Sequence, residues 1–581
     1  MVDSFGRSLP PREEGLTPRP ALILTFLFWV SAPRASAAQP TTEPSEATAR
    51  SFFESERWQE LLLEFPSSNS YSAKLDFYRG MALARLERWQ EARDALELGA
   101  AKSPGDSRFP LELAGIFFKM KDFRQAKSAL SRSLSLGLEA DDEAYANDFL
   151  GTLFYLEGNL DATLEYWNRV EKPFIRRIEI LGELRLDPEL LDRAVSASRE
   201  SVLTLEELRT SRATLQELGV FARTRFELKP GLGSFDLHLM LTERNGFGKP
   251  TLGSLASLLR GVPFETVYLD FFNLGGSAHN SRSFFRWDAN KRRIFTSFSG
   301  PIASDPSRRF RLFLDARREE WDVAGSALAH SGPSSQFGLE TFGGGWEVVA
   351  REGSPFQWRT GAGVSYRRYR ELELRSPETP FLFAEGPSLR YDVGAEGALV
   401  RVPERCFDVR ASANGTIGKL LREGAPFFTR VRGGIDARWL PKASDDLAVE
   451  LTLRAGTTMG AAPLDELFLV GTERDTDLWL RGHRGTRDGK KGSAFLGRRF
   501  LLANHDLTKI VVEKPRFSIA VGPFADFGVV SDEPEGLGSE GFVVDVGLKL
   551  ELRVTAGSVL VLSYGRDLRE GDHVFYASYA P

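Results

Sequence analysis

The sequence predicts a multidomain protein made of an α-helical solenoid, a small α+β module and a C-terminal antiparallel β-barrel of about 16 strands. Three observations predict this fold class. A helical pattern repeats every 34 residues near the N-terminus, a strand–helix–helix–strand–strand order follows it, and alternation of apolar and polar residues fills the rest of the chain. At 581 residues the chain is also too long for one core, since the usual scaling gives roughly three to four domains.

Composition and charge exclude several functional classes. The formal net charge of -5 argues against a nucleic-acid partner, because nucleic-acid-binding domains normally carry a basic excess. Cys406 is the only cysteine, so the sequence offers no intramolecular disulfide and no thiolate metal cluster. The six histidines show no metal-ligand spacing, and no phosphate-binding loop or nucleophile–histidine arrangement stands out. We therefore expect a protein that is not an enzyme and that uses no metal or organic cofactor.

Residues 1–38 are predicted to be a secretory signal peptide. An apolar run of 12 residues, Ala21 to Ala32, follows Arg19 and precedes the small residues Ala35-Ser36-Ala37 at the cleavage positions. The run is too short to span a bilayer, and a buried or interfacial helix is the alternative. No apolar stretch of spanning length follows it in the sequence. A mature protein in a membrane would then have to be a closed barrel, because only helices and barrels satisfy every backbone group in lipid.

Residues 46–172 are predicted to form helical repeats that resemble tetratricopeptide units. Small and large residues recur at equivalent positions of three copies: Gly80, Leu83, Ala92, Leu96 and Pro104; then Ala114, Phe117, Ala126 and Leu130; then, displaced by three residues, Gly151, Phe154 and Trp167. Hairpins of this kind stack into a solenoid with a concave surface. We expect that surface to bind a periplasmic or lipoprotein partner, and a plain helical spacer is the alternative.

Residues 174–245 have the pattern of a small α+β module. The predicted elements are one strand, two helices and two further strands: Phe174–Leu181, Pro188–Ser198, Leu205–Leu218, Ala222–Leu228 and Phe235–Thr242. Thr204 and Glu207 have the spacing of a capping box before the second helix. The turn Lys229-Pro230-Gly231 separates the last two strands.

This element order and the segment Leu218-Gly219-Val220-Phe221 resemble a POTRA domain, the periplasmic module of the outer-membrane assembly family that includes BamA and TamA. The resemblance implies that the module offers a strand edge to a client segment, which is recognition by β-augmentation. We expect the client-binding edge to be the last strand of the module, with contacts from Phe235, Leu237, Leu239 and Leu241.

Residues 246–581 are predicted to form a transmembrane β-barrel. In Phe542–Arg553 every second residue is apolar, and the residues between them include Asp545, Lys549 and Glu551. A soluble β-domain has the same period and is the alternative. Strand length, the signal peptide and aromatic residues near strand ends favour the barrel; these aromatic residues are Tyr268, Trp321, Trp358, Trp439 and Tyr564.

The tetrad Leu480-Arg481-Gly482-His483 is the most specific resemblance to the same family. Its members carry valine or leucine, arginine, glycine and an aromatic residue on a long loop that folds into the barrel lumen; here His483 stands in the aromatic position. The resemblance implies that Arg481 pairs with acidic residues of the lumen wall, for which Asp526 and Asp506 match, and a buried guanidinium requires such partners. Gly482 would permit a tight turn of the loop. An ordinary arginine-rich loop is the alternative.

The resemblance implies an outer-membrane protein assembly or translocation factor with its repeats and POTRA-like module in the periplasm. The periplasmic arm would capture an unfolded or exported protein client, and the barrel, surrounded by outer-membrane lipid, would insert or export it. Thr266–Leu274 resembles the opening strand of the family, and His573–Tyr579 is expected to close the barrel against it. An export porin for exopolysaccharide or another polymer is one alternative function, and a structural anchor for the repeats is another.

Overall fold

The computed structural model describes residues 44–580 except 69, 245–260, 263–264, 324–334, 354, 372–380, 442–445, 515–516, 533–538, 540 and 555–558. The predicted signal peptide lies outside the described residues, as does the first part of the predicted barrel domain. The chain divides into two compact units, Met1–Glu171 and Lys172–Pro581. Among the described residues, no helix is both long enough and apolar enough to cross a membrane.

The first unit is α-helical. Its helices are α1 (Pro44–Glu54), α2 (Trp58–Glu64), α3 (Ala73–Arg85), α4 (Trp89–Lys102), α5 (Arg108–Lys119), α6 (Phe123–Leu136), α7 (Ala140–Leu156) and α8 (Leu160–Trp167). Ser72, Asp122 and Asn159 begin α3, α6 and α8, because each side chain accepts a hydrogen bond from the backbone N–H three residues later. The helices pack in consecutive pairs, α3 with α4, α5 with α6 and α7 with α8.

Each helix pair is closed by a small residue on its first helix and a large residue 16 positions later. The three pairs are Gly80–Leu96, Ala114–Leu130 and Gly151–Trp167. A Cβ atom on Gly80 would lie 2.6 Å from Leu96 Cγ, so a larger side chain would force the two helices apart. This repeated contact gives the 34-residue period a physical reason. The tetratricopeptide identity of the helices stays a prediction.

The second unit begins with a small α+β module of residues 172–244. It contains β1 (Phe174–Leu181), α9 (Pro188–Ala194), β2 (Ser201–Val202), α10 (Leu205–Glu217), β3 (Phe221–Pro230) and β4 (Phe235–Glu243). The predicted capping box is present: Thr204 N donates to Glu207 Oε2 at 2.8 Å, and Glu207 N donates to Thr204 Oγ1 at 3.2 Å. The largest differences from the predicted bounds are that α9 ends four residues earlier and that β3 continues to Pro230, while the other bounds agree within one residue.

The predicted client-binding edge is wrong. The sheet order is β2-β1-β4-β3, so β4 lies in the interior, parallel to β1 and antiparallel to β3. Leu237, Leu239 and Leu241 are buried, and Phe235 is partly buried at the start of the strand. Alternation along the chain does not reveal this order, because a parallel neighbour is reached only through a crossover connection. The outermost long strand of the module is β3.

The rest of the second unit is a large antiparallel sheet with a long loop that contains short strands. The elements are β5 (Thr266–Leu274), β6 (His279–Trp287), β7 (Lys291–Ile302), β8 (Asp305–Val323), β9 (Ser335–Glu352), β10 (Phe356–Arg370), β11 (Gly386–Val402), β12 (Phe407–Leu420), β13 (Phe427–Trp439), β14 (Leu447–Gly460), β15 (Phe468–Val470), β16 (Thr486–Arg487), β17 (Lys490–Lys491), β18 (Phe495–Gly497), β19 (Arg499–Lys514), β20 (Phe517–Ser531), β21 (Val543–Val554), β22 (Val559–Asp567) and β23 (His573–Ala580).

The strand order of this sheet is that of a closed barrel with β23 beside β5. Among the described residues, fifteen long strands follow one another, β5 to β14 and β19 to β23, and their fourteen registers are all antiparallel. An odd number of antiparallel strands gives β5 and β23 the same direction. The described strands therefore number one fewer than the even count of about 16 that the sequence predicts.

The two faces of the sheet differ as the alternation predicts. On β21, Val546, Leu548 and Leu550 are exposed on the outer face, whereas Asp545 and Glu551 are buried on the inner face. Large apolar side chains are exposed on strands β8 to β12 as well; they include Leu312, Leu314, Phe342, Val364, Leu389 and Ile417. The sheet therefore keeps its charged residues inside and its apolar residues outside.

One of the aromatic residues near the strand ends lies on the inner face. Trp439 and Tyr564 are exposed. Trp321 is instead buried, with its ring stacked on Phe337 and Lys491 Nζ 5.0 Å from its centroid. Lys491 belongs to the loop that connects β14 to β19, so this tryptophan packs against the loop rather than against the surroundings of the barrel.

Candidate functional site

The loop of residues 461–498, called here the inner loop, connects β14 to β19 and lies inside the barrel. Its ion pairs reach strands in different parts of the sheet: Asp475 contacts Arg286 of β6 and Arg293 of β7, and Asp465 contacts Arg367 of β10. One loop contacts strands so far apart only across the lumen. Two buried apolar clusters also join the loop to the wall.

Arg481 of the inner loop is held by two carboxylates of the wall. Its Nε and Nη2 donate to Asp526 Oδ2 and Oδ1 at 2.9 and 2.6 Å, and its backbone N donates to Asp526 Oδ2 at 2.9 Å. Its Nη1 and Nη2 donate to Asp506 Oδ1 and Oδ2 at 2.8 and 3.2 Å. The structure therefore brings these three predicted site residues together, the carboxylates on the adjacent strands β19 and β20.

The surroundings of Arg481 strengthen this contact. The ring of Phe524 lies against the guanidinium, with Arg481 Cζ 3.7 Å from the ring centroid. Asn504 Nδ2 donates to Asp526 Oδ1 at 2.7 Å, and Asp526 is fully buried. A buried carboxylate is stable only when a cation and hydrogen bonds offset its lost hydration. Arg481 supplies that cation, so its removal would leave an uncompensated charge in the wall.

Gly482 lies in a tight turn, as predicted, in which the His483 N–H donates to the Leu480 carbonyl oxygen at 3.1 Å, and it also permits a close approach to the wall. Its φ is not positive, so the turn itself does not demand glycine. A Cβ atom at this position would, however, lie 2.6 Å from Asp545 Oδ1 and 2.6 Å from Asp567 N. The Gly482 N–H donates to Asp545 Oδ2 at 2.6 Å, which a side chain would prevent.

Two glycines of the wall complete this fit, and sequence reasoning did not single them out. A Cβ atom on Gly565 of β22 would collide with the carbonyl group of Arg481. A Cβ atom on Gly528 of β20 would lie 3.0 Å from Leu480 Cδ2, and Leu480 is fully buried. Glycine within a strand often marks such a close approach, so the two positions carried a weak signal.

His483 occupies the aromatic position of the tetrad and faces two carboxylates. Its Nδ1 lies 3.2 Å from Asp545 Oδ2, and its Nε2 lies 3.9 Å from Asp567 Oδ2. Burial opposes protonation of the ring, but the hydrogen bond to Asp545 and the charges of both carboxylates outweigh burial and raise the pKa of His483. The ring also packs on Phe495, with the ring centroids 4.8 Å apart.

Asp475 forms a second anchor of the inner loop that the sequence analysis missed. Arg286 Nη1 lies 3.0 Å from Asp475 Oδ2, and Arg293 Nη1 lies 2.9 Å from Asp475 Oδ1. Burial alone would raise the pKa of Asp475, but the Arg286 and Arg293 guanidinium groups hold it well below its usual range. The partners are at least 182 positions apart in the sequence, so no local motif indicates the contact.

The α+β module is joined to one end of the barrel through α10 and the turns between strands. Asn280 Nδ2 of β6 donates to the Leu218 carbonyl oxygen at 2.9 Å, and Arg351 Nη2 of β9 lies 3.2 Å from Glu217 Oε2. The segment that resembles the POTRA turn therefore begins at this junction. These contacts hold the module next to the strand ends of the barrel.

No protein-family model and no curated protein sequence matches this chain. Solved structures with similarity include BamA from Haemophilus ducreyi lacking POTRA domains 1–3, at 12% sequence identity and a TM-score of 0.41 over 70% of this chain and 84% of that chain. CdiB from Escherichia coli has 13% identity and a TM-score of 0.46 over 76% and 87% of the two chains. CdiB from Acinetobacter baumannii has 12% identity and a TM-score of 0.42 over 80% and 85%. Similarity at this level assigns no family to the chain.

Proposed function

We propose that this protein is an assembly or translocation factor for outer-membrane or exported proteins. In this proposal the barrel spans the bacterial outer membrane, and the helical unit and the α+β module lie in the periplasm. One observation carries the proposal: Arg481 fixes the inner loop to Asp526 and Asp506 of the lumen wall. Arg481 belongs to the tetrad that resembles that of the BamA and TamA family.

The outer face of the sheet supports the membrane position. Leu548 is 64% exposed and Phe342 is 61% exposed, and similar side chains surround them on adjacent strands. A soluble protein rarely exposes a continuous apolar surface of this kind, whereas lipid stabilises it. The inner face carries ion pairs instead, such as Arg293 Nη2 with Asp315 Oδ2 at 2.7 Å.

The client-binding edge is assigned to β3 in place of β4. Strand β3 ends the sheet order and pairs only with β4 among the described strands. A client segment in extended conformation would add a strand along this edge, with main-chain hydrogen bonds providing affinity. Arg223 and Arg225 are exposed on β3, and charged side chains at an edge limit pairing with other copies of the chain.

Polymer export through the lumen receives less support. An arginine-rich lumen would suit an anionic polymer, and Arg432 and Arg454 do face the inner loop. Both contact Asp477 of that loop, however, and this single carboxylate offsets part of their charge. The loop also occupies lumen space that a polymer would need.

Site-specific photo-crosslinking tests the proposed function. The full chain is reconstituted into lipid vesicles with a photo-crosslinking residue in place of Arg225, and a purified outer-membrane β-barrel protein is added from urea as the client. We expect adducts between β3 and the unfolded client, since the edge would pair with it. Asp192, exposed on α9 of the same module, is the matched control position and should give few adducts.

Two outcomes would contradict the proposal. Equal adduct yields at Arg225 and Asp192 would show that the module collides with the client without binding it along the edge. Adducts with an added anionic polysaccharide in place of the protein client would favour the export porin.

A further inference from the structure

Two carboxylates of the wall lie directly opposite each other beside the tetrad. Asp545 of β21 and Asp567 of β22 are register partners, and both are fully buried. Like charges at opposite positions of a sheet destabilise it, and two carboxylates that share a buried site need a cation between them. This pair therefore requires a positive group at the same place in the lumen.

The inner loop delivers an imidazole to this place. His483 Nδ1 lies 3.2 Å from Asp545 Oδ1, and one ligand atom from each of His483, Asp545 and Asp567 lies within 4.8 Å of the others. Asp545 Oδ2 accepts the Gly482 N–H, but among the described residues Asp545 Oδ1 receives no hydrogen bond although its residue is fully buried. A buried carboxylate oxygen that accepts no hydrogen bond and faces the imidazole is available to bind a cation.

We propose that His483, Asp545 and Asp567 bind one divalent transition-metal ion, with Zn²⁺ as the expected ion. One imidazole nitrogen and one oxygen from each carboxylate would supply three ligands, and water would supply the fourth. Imidazole and carboxylate groups are common ligands of Zn²⁺, with bonds of about 2.0–2.2 Å. The ion would compensate both carboxylates and bind the Asp545 oxygen that accepts no hydrogen bond from the described residues.

The groups around the ligands already orient them. Asp567 Oδ1 and Oδ2 accept the backbone N–H groups of Arg569 and Glu570 at 3.0 and 2.7 Å. The Gly482 N–H orients Asp545 in the same way. Such outer contacts fix the direction of metal ligands and increase their affinity. The site would thus join the inner loop to β21 and β22, next to the contacts that Arg481 makes with β19 and β20.

Metal binding by the full chain tests this inference. The protein is purified in detergent, stripped with EDTA and titrated with Zn²⁺, and bound metal is measured after gel filtration. We expect one Zn²⁺ for each chain, and Co²⁺ in its place should give the visible absorption of a site with a nitrogen ligand. His483→Phe, which inserts the aromatic residue of the resembled family, should abolish this binding. Asp567→Asn should weaken it by at least about tenfold.

His505→Phe is the matched control, since His505 is an exposed histidine of the neighbouring strand β19. It should bind Zn²⁺ like the unchanged protein. Each variant is first checked for the barrel fold by its resistance to dissociation in cold detergent, and Asp567→Asn serves alone if His483→Phe does not fold. Absence of bound Zn²⁺ in the folded unchanged protein would overturn the inference. His483 would then form only an ion pair with the two carboxylates. Equal binding by the folded site variants and the control would also overturn it.

Discussion

Arg481 differs from its neighbours Arg484 and Arg487 in the burial of its charge. Its side chain is buried between Asp526 and Asp506, whereas Arg484 and Arg487 are exposed to solvent. An exposed ion pair contributes roughly 0–1 kcal/mol to stability, but removing one partner of a buried pair costs about 3–5 kcal/mol. The three arginines lie close together in the sequence, but Arg481 therefore contributes more to the stability of the folded protein than the other two.

Arg481→Ala should lower the free energy of unfolding by about 3–5 kcal/mol, because Asp526 would stay buried without its cation. The measurement is urea unfolding of the protein in lipid vesicles, followed by tryptophan fluorescence. Arg487→Ala is the matched control and should change stability by no more than about 0.5 kcal/mol. Equal losses for the two variants would contradict the special role of Arg481.

Gly482→Ala should destabilise the protein by about 1–3 kcal/mol, since the added methyl group would collide with Asp545 and the backbone of Asp567. The same unfolding experiment measures the effect. Gly415→Ala is a suitable control, because its Cβ atom would meet Val393 Cγ2 at an ordinary 3.5 Å. If both alanine variants unfolded at the same urea concentration, the close approach at Gly482 would contribute nothing measurable to the free energy of unfolding.

Sequence reasoning identified residues of the site only where they belong to a recognisable motif. The tetrad named Arg481, and the family pattern named Asp526 and Asp506, which the structure brings together. Asp545 is 62 positions from His483, and no ligand spacing indicates such a pair. Contacts between distant strands depend on the register and closure of the sheet, which alternation alone does not determine.

At the scale of elements, the helix pairs of the first unit depend on large residues that fill the space left by small ones. Leu96→Ala should lower the stability of this unit by about 2–5 kcal/mol, because Leu96 is fully buried against Gly80. Thermal unfolding followed by circular dichroism at the helical signal measures the loss. Leu63→Ala, at an 81% exposed position of α2, is the control and should have little effect. A small loss for Leu96→Ala would contradict the packing account.

The junction between α10 and the barrel should respond to exchange of charge. Glu217→Arg should expose α10 to faster hydrogen exchange, because it would place two guanidinium groups together at Arg351. The double variant Glu217→Arg with Arg351→Glu should restore protection, with a coupling of about 0.5–1 kcal/mol for a partly exposed pair. Protection that stays low in the double variant would show that this ion pair does not hold the module in place.

Local patterns predicted the elements of the module better than their arrangement. The capping box at Thr204 marked the start of α10, and β1 has its predicted bounds. The interior position of β4 could not be read from its alternation, because an interior strand and an edge strand with one buried face have the same period. The interior position of β4 follows from its pairing with β1, which is about 60 residues earlier in the chain.

For the whole molecule, the alternation of apolar and charged residues predicted that the two faces of the sheet differ, and strand length, the signal peptide and the aromatic residues favoured an outward apolar face. These patterns did not predict that one loop would contact strands from β6 to β22 across the lumen. That arrangement depends on closure of the sheet, which brings residues far apart in sequence around a common interior. The number of strands was estimated from chain length, and the described part of the sheet has fifteen long strands where an even number of about 16 was expected.

Client folding in reconstituted vesicles tests the central claim most directly. The unchanged protein should accelerate membrane insertion of a urea-unfolded outer-membrane β-barrel protein by about tenfold over empty vesicles, a barrier change of about 1.4 kcal/mol. Arg481→Ala should lose most of this acceleration in vesicles where its barrel remains folded, because the inner loop would no longer be fixed to the wall. A client that inserts equally fast into empty vesicles and into vesicles with the unchanged protein would contradict the claim.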